Sequence, residues 1–464
     1  MRIGDMKSSF SEFWQEFRRV KSGMIGLVFL GLFLMVLFFE PLLLPFEGAN
    51  QRWKDITYWE DNPASAAPQW TNLFSSKKSA VSIALESAKK EEKNAGPIRI
   101  IEETFVYDFQ YDVAPSDIIF RASGKANPTA IISIERPDGR KIDLLRKPLE
   151  VTEGNDLRIA IDKTSLNETY NFLKGLDAAT GLSKQTMKTT DIIFSRVEDS
   201  VPFKPDALKG EYRIMVSLIL QKETDLIDST EMKIVGRVHG ILGTDNSKRD
   251  IWSGVIAGVK WAMLIGLLTA LISVSIGVIY GVMSAYLGGW KDSLMQRIFE
   301  IFISVPMLPV LIVMSAVFKP NIWVMIGIMC IFYWVGPVKT VRSMGLQIKE
   351  ETYIEASRAL GASNTRIIFK HMVPLLIPYA FASMALNVPG AIVVEATLSL
   401  LGLGDPNIVT WGQILQDAHN GGAMLSGMWW WVVPPGLAIA FMGMTFAFVG
   451  FAMDKILNPK LKTR

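Results

Sequence analysis

A single cysteine, Cys330, among 464 residues excludes an intrachain disulfide and any Cys-based metal cluster. Histidine is nearly as scarce. Three residues, at 239, 371 and 419, are too scattered for a histidine-rich metal site, and the nearest thing to a ligand set is His239, Asp245 and Asp250. No Gly-x4-Gly-Lys-Ser/Thr stretch occurs, so ATP has no phosphate loop of that type to bind. Charge of one sign is also missing. With 48 Lys and Arg against 45 Asp and Glu, the formal net charge is +3, too small and dispersed for a nucleic-acid surface.

What is abundant is apolar surface. Half the residues are hydrophobic and 20 % are charged, but the two kinds are segregated along the chain. Apolar runs fill 23–44 and much of 254–454, whereas 50–237 has an ordinary globular composition. A membrane domain with one soluble insertion is the simplest organisation. The run 23–44 follows Lys7, Arg18, Arg19 and Lys21 and ends at Glu40-Pro-Leu-Leu-Leu-Pro45 without an Ala-x-Ala cleavage site. It reads as a transmembrane helix with a cytoplasmic N-terminus, and not as a signal peptide.

Trp53, Trp59 and Trp70 then suit a loop at the membrane interface. The charged stretch 77–93 reads as a solvated helix or a linker. From about 98 the pattern changes to short β-like runs at 98–106, 118–121, 129–135, 141–145, 157–161, 191–197 and 212–221. Turn signals at Pro137-Asp-Gly139, 153–155 and Lys209-Gly210 separate them, so a β-sandwich is expected.

Further apolar runs at 261–287, 298–318, 321–338, 376–403 and 431–453 bring the expected crossings to about six. Basic residues orient them. Lys291 and Arg297, then Lys339 and Arg342, then Lys455, Lys460, Lys462 and Arg464 fall on one side, whereas 404–428 holds Asp405 and Asp417 but no Lys or Arg. Both termini are therefore expected in the cytoplasm.

Two glutamates fall at membrane depth. Glu300 has Arg297 three residues before it, the spacing of a helical ion pair. Glu395 follows Pro389-Gly390, an expected helix break, and leads through Gly402 to Gly404. That places 395–404 beside an aqueous translocation path. The methionines at 283, 295, 307, 314, 325 and 329 serve either an adaptable pore or ordinary packing.

One polar stretch between apolar flanks, Glu355-Ala356-Ser357-Arg-Ala-Leu-Gly361 continuing to His371-Met-Val-Pro374, must return to water. Residues 353–360 suit a short helix, Gly361 a left-handed stop, and Ser363 or Asn364 the cap of a second helix ended by Pro374. A helix–Gly–helix knuckle on the basic side of the membrane is a shape for docking into a partner's groove; an ordinary amphipathic loop is the plainer alternative.

The Glu355, Ala356, Ser357, Gly361, Pro374 pattern resembles the "EAA" coupling loop of ABC importer permeases, and the ending at His371 moves it toward the peptide branch. The stretch Gly243-Thr244-Asp245 with Arg249-Asp250 resembles the "GTD…GRD" signature of dipeptide, oligopeptide and nickel permeases. Lys248 stands where that signature has glycine, which removes the tight-turn argument there. Trp411-Gly412 and the segment 429–438 resemble the same permeases' C-terminal half.

The resemblance covers about 10–45 and 237–464. It implies the six-helix fold of type I ABC importers, here with an inserted mostly-β extracytoplasmic domain. The expected division is 1–22 cytoplasmic, 23–44 first crossing, 45–237 insertion, and 238–464 permease core with its coupling loop at 342–374. It further implies a non-enzymatic, multi-pass cell-membrane permease subunit for di- or oligopeptides, in contact with lipid. Its partners would be a homologous permease, two cytoplasmic ATPases that bind ATP and Mg, and an extracytoplasmic solute-binding protein. Asp245, Arg249 and Asp250 would form a structural, gating-related knot. Nickel chelates or oligosaccharides are the alternative cargo, and a membrane-anchored receptor with a ligand-binding β domain is the alternative from another class.

Overall fold

The structure, a computed structural model, describes residues 14–457 apart from 45, 96–97, 150, 152–155, 180–182, 185–186, 223 and 320. Lys7, the turn signal at 153–155, and the basic residues 460, 462 and 464 lie outside the described residues. The chain forms two units, Met1–Lys54 with Ser253–Arg464, and Asp55–Trp252.

Helix α1 (Lys21–Phe38) is apolar around its whole circumference and buries only Gly23, Gly26 and Phe33, the composition of a lipid-facing span. Its glycine face lies on the last helix of the chain. A Cβ on Gly23 would meet Ala452 at 2.5 Å, and Phe29 meets Phe441 edge-on at 5.2 Å. Small residues permit this approach where lipid gives apolar side chains no drive to associate.

Among the described residues the Asp55–Trp252 unit holds nine strands: β1 (Ile83–Leu85), β2 (Ser87–Ala95), β3 (Ile98–Phe109), β4 (Asp117–Lys125), β5 (Thr129–Glu135), β6 (Lys141–Pro148), β7 (Asp156–Arg158), β8 (Gly210–Leu220) and β9 (Leu226–Val235). They make two antiparallel sheets, ordered β1-β9-β4-β7 and β2-β3-β8-β5-β6. Inward residues of both sheets share one core, including Phe105, Phe120, Ile132, Tyr212, Ile214 and Met232. The expected sandwich is present, and so is the β5–β6 hairpin, with Glu135 paired to Lys141 and Gly139 at φ +75°.

Two local expectations fail. The stretch 77–93 is neither helix nor linker, because β1 and most of β2 lie in it. Its charges sit on a solvent-facing strand, where Lys93 pairs with Glu102 across the ladder at 2.6 Å. Nor is 191–197 a strand. Helix α3 (Thr189–Ile193), which follows α2 (Lys163–Gly175), takes its first residues. The carbonyls of Ile192 and Ser195 accept hydrogen bonds from the fully buried Arg136, at 3.0 and 2.7 Å. A buried guanidinium must find acceptors, and two are at the end of a helix.

The membrane unit continues with α4 (Ile251–Leu287), α5 (Gly289–Ser304), α6 (Met307–Val317), α7 (Ile322–Tyr333), α8 (Val335–Lys349), α9 (Thr352–Ala359), α10 (Val373–Leu400), α11 (Trp411–Asn420) and α12 (Trp429–Leu457). Among the described residues five helical stretches, α7 with α8 counting as one, are long and apolar enough to span a membrane, or six if α5 and α6 count as one broken span. The expected crossing at 298–318 is this broken pair. Its two helices meet at 78°, because Pro306 cannot donate to the ladder and forces Val305 to an extended ψ of 124°.

Two proline expectations fail in the opposite direction. Pro374 does not end a helix: a π-helical turn over Ile367–Met372 leads into α10, and Pro374 occupies its first turn, where no N–H is needed. Pro389-Gly390 does not break α10 either, since the helix runs through Pro378 and Pro389 to Leu400. Packed neighbours hold it; a Cβ on Gly390 would meet the Tyr333 hydroxyl at 3.2 Å.

Candidate functional site

Three constellations carry the residues singled out in the sequence. The first is the knuckle after α8. Helix α9 buries a single residue, Ile354, in a cluster with Ile367, Ile368 and Met372. Its other faces are open. Glu355 and Ala356 are exposed, Ser357 is half-buried with its hydroxyl bonded back to the Tyr353 carbonyl at 2.7 Å, and Tyr353 and Leu360 are 42 % and 88 % exposed. Gly361 takes φ +82° with open space around it, so the backbone turn and not crowding demands glycine. Ser363 caps the next turn, its Oγ accepting from the Arg366 N–H at 3.4 Å. The result is a short helix on one apolar peg, with an apolar and acidic face turned outward.

Behind the knuckle lies a network that sequence reasoning missed, having read Arg342 only as a topology charge. Arg342 grips Asp292 with two nitrogens, at 2.9 and 2.5 Å. Ser284 donates to the same carboxylate, and Gln296 donates to Ser284 at 2.8 Å. Helices α4, α5 and α8 are thereby tied together where α8 leads to the knuckle. The signal available was an Asp and an Arg at the ends of separate apolar runs, which becomes a pair only in three dimensions. Arg297 and Glu300 do form the expected i,i+3 pair, at 2.7 Å on an exposed face.

The second constellation surrounds Glu395. This carboxylate is 4 % exposed. Ser399 donates to it at 2.7 Å, and Thr410 hydrogen-bonds it as well. It therefore points into the chain and ties the end of α10 to the loop that leads into α11. That loop is shaped by glycine. Gly402 has φ +82°, and a Cβ on Gly404 would fall 2.6 Å from Gln413 Nε2. Asp405, also buried, accepts from the Ile322 N–H at 3.0 Å and so fastens the loop to the start of α7.

The third is the Asp245 knot, which lies within the Asp55–Trp252 unit. Asp245 is fully buried and receives both the backbone N–H and the Nε of Arg249, at 2.8 and 2.5 Å. Burial pushes its carboxyl above the usual aspartate value, against the pull of Arg249. Thr244 pairs with Asp250 in a short bridge, and its hydroxyl donates to the Pro63 carbonyl at 2.6 Å. The tight turn that Lys248 argued against is nonetheless there: Lys248 itself adopts φ +67°, while its Nζ donates to the Glu60 carbonyl at 2.8 Å. That tail bond and the one from Asn62 to the Lys248 carbonyl at 3.2 Å offset the backbone strain. Among the described residues no group of His, Cys, Asp and Glu is arranged to hold a metal. Replacing Asp245 by Ala breaks its buried pair with Arg249 and is expected to cost about 3–5 kcal/mol. Faster hydrogen exchange over 237–250 would show it, with Asp245→Asn milder because it keeps an acceptor for the Arg249 N–H.

A helical membrane unit with a broken span, an exposed polar knuckle and an inserted pair of β-sheets is that of a multi-pass transport permease. Residues 252–463 match the family of binding-protein-dependent transport system inner membrane components, and 8–66 match the N-terminal transmembrane domain of oligopeptide transport permease C. The chain is 35 % identical over 234 residues to the dipeptide transport system permease protein DppC of Bacillus subtilis, covering 50 % of this chain and 72 % of that protein. It is 36 % identical over 222 residues to the oligopeptide transport system permease protein OppC of the same organism, covering 47 % and 72 %. It is 33 % identical over 220 residues to the peptidoglycan transport system permease protein YejE of Agrobacterium fabrum, covering 47 % and 57 %. The chain belongs to the OppC-type permeases of peptide ABC importers. It is thus a multi-pass inner-membrane permease subunit, of a family without ATPase activity that works with separate ATPases and a binding protein.

Proposed function

We propose that this subunit moves di- or oligopeptides, enclosing the path with a homologous permease and taking its drive from two cytoplasmic ATPases. ATP and Mg would bind on those subunits, and an extracytoplasmic binding protein would deliver the peptide. Both termini lie in the cytoplasm in this reading, and 45–237 lies outside. The observation that carries it is the shape of 352–361: a helix with one buried peg, an exposed face including Glu355, Ala356 and Leu360, and a left-handed glycine at its end. Closure of an ATPase cleft around such a helix would move α8 and α10 with it. Glu355 is the polar anchor; because it is exposed in the chain alone, its removal acts only in the complex. The loss there is about 3–5 kcal/mol if the pair formed is dry, and about 1 kcal/mol or less if it is wet.

In this scheme Glu395, Gly402 and Gly404 act by positioning the loop at the outer end of the path, and Asp245, Arg249 and Asp250 by bracing its approach. Co-purification from native membranes, followed by ATPase assays with added peptides, tests the proposal. A stable complex whose hydrolysis rises with peptide and binding protein is expected. Stimulation by nickel chelates or oligosaccharides alone would overturn the cargo, and labelling of Ser357→Cys from outside the cell would overturn the orientation.

A further inference from the structure

The membrane unit has a cleft of about 400 Å³ at the junction of α4, α5, α8 and α9. Three cations from three helices converge on it: Lys291 from α5, Lys349 from the end of α8 and Arg358 from α9. No carboxylate lines it. Among the described residues none of the three is ion-paired, since the nearby Asp292 is taken up by Arg342. Lys349 makes only a long bond, 3.5 Å, to the Ala285 carbonyl. Gathering like charges without a counterion raises the free energy of the empty cleft, and an anion relieves it.

The rest of the lining narrows the kind of anion. Gly288 and Gly289, at φ +60° and +55°, turn the chain so that α5 begins at the cleft wall, with the positive end of its dipole there. The Asn364 side chain is held by the Tyr286 hydroxyl at 3.1 Å, which fixes a polar rim. Beside this polar floor stand Leu287 and Trp290, the latter 72 % exposed, at the end of a membrane-spanning helix. An indole in that position belongs at the headgroup level of a bilayer. A soluble anion would use the cations and leave the indole idle; a phospholipid uses both.

We propose that this cleft binds the phosphate of an anionic phospholipid, with Lys291, Lys349 and Arg358 around the headgroup and its acyl chains against Leu287 and Trp290. Basic pockets between membrane helices are suited to such headgroups. Arg358 belongs to the knuckle helix while Lys291 and Lys349 belong to the spans, so an occupied cleft joins the knuckle to the bundle. The inference rests on the proposed function only in placing this cleft at the cytoplasmic leaflet.

The test is native mass spectrometry of the full chain released from phosphatidylcholine nanodiscs doped with phosphatidylglycerol. One tightly retained phosphatidylglycerol is expected, with retention at least tenfold weaker in Lys291→Gln/Lys349→Gln and largely kept in Lys291→Arg/Lys349→Arg. Unchanged helical circular dichroism in both variants separates loss of the site from loss of the fold. Equal retention by the Gln variant, or of phosphatidylcholine, would overturn the proposal. So would displacement of the lipid by millimolar inorganic phosphate, which would mark a site for the free anion. Labelling of Ser293→Cys from either side of the membrane reads the orientation separately, so an external cleft would sink the leaflet assignment without touching the lipid result.

Discussion

Gly361→Asp is expected to cut peptide uptake at least tenfold in the reconstituted complex while ATP hydrolysis continues and membrane insertion is normal. The substitution has two effects, both local. A side chain at φ +82° costs roughly 1–2 kcal/mol, which the short α9, held by Ile354 alone, can relieve by fraying or rotating. A negative charge also enters next to Leu360, the most exposed apolar side chain of the knuckle. A Cβ on Gly361 would meet nothing within 4 Å, so the rest of the chain has no reason to unfold. Gly361→Ala separates the two effects, because alanine carries the left-handed strain without the charge. Its uptake should fall between wild type and Gly361→Asp. Normal uptake by Gly361→Asp would show that the knuckle does not transmit the drive.

How much of this could be read beforehand depended on the range of the interactions. The left-handed stop at Gly361, the serine cap and the β5–β6 hairpin are set by neighbours within a few residues, and the sequence pattern carries them. Apolar runs gave the spans for the same reason: length and composition are local. Prolines misled because their effect depends on what surrounds them. Pro306 bends its segment, whereas Pro389 sits in an unbroken helix packed on neighbours. Glu395 is hydrogen-bonded to Thr410, fifteen positions along and across a glycine-shaped loop, so its buried partners had no local signature. The Asp292–Arg342 grip, fifty residues apart, had no local signature.

A loss of stability of about 3–5 kcal/mol is expected for Trp411→Ala. The indole is 2 % exposed, and its Nε1 donates to the Val255 carbonyl at 2.9 Å. It lies over Gly258 of α4, whose missing side chain makes room for it. On the other side, Gly412 brings α11 so close to α10 that a Cβ there would stand 2.7 Å from Ala396 Cα and from Ser399 Cβ. The α11 segment is thus wedged between α4 and α10, and the Glu395–Ser399 bond lies against the same wedge. Trp411→Phe keeps most of the volume but loses the hydrogen bond, so about 1–2 kcal/mol is expected. Unfolding of the chain in bicelles, followed by denaturant titration, should rank wild type above Trp411→Phe above Trp411→Ala. Gly258→Val supplies the stronger check. Alone it collides with the indole and destabilises, but in a Trp411→Ala background it enters a void, so its cost should shrink or change sign. Additive losses in the double variant would mean that the two residues do not share that space.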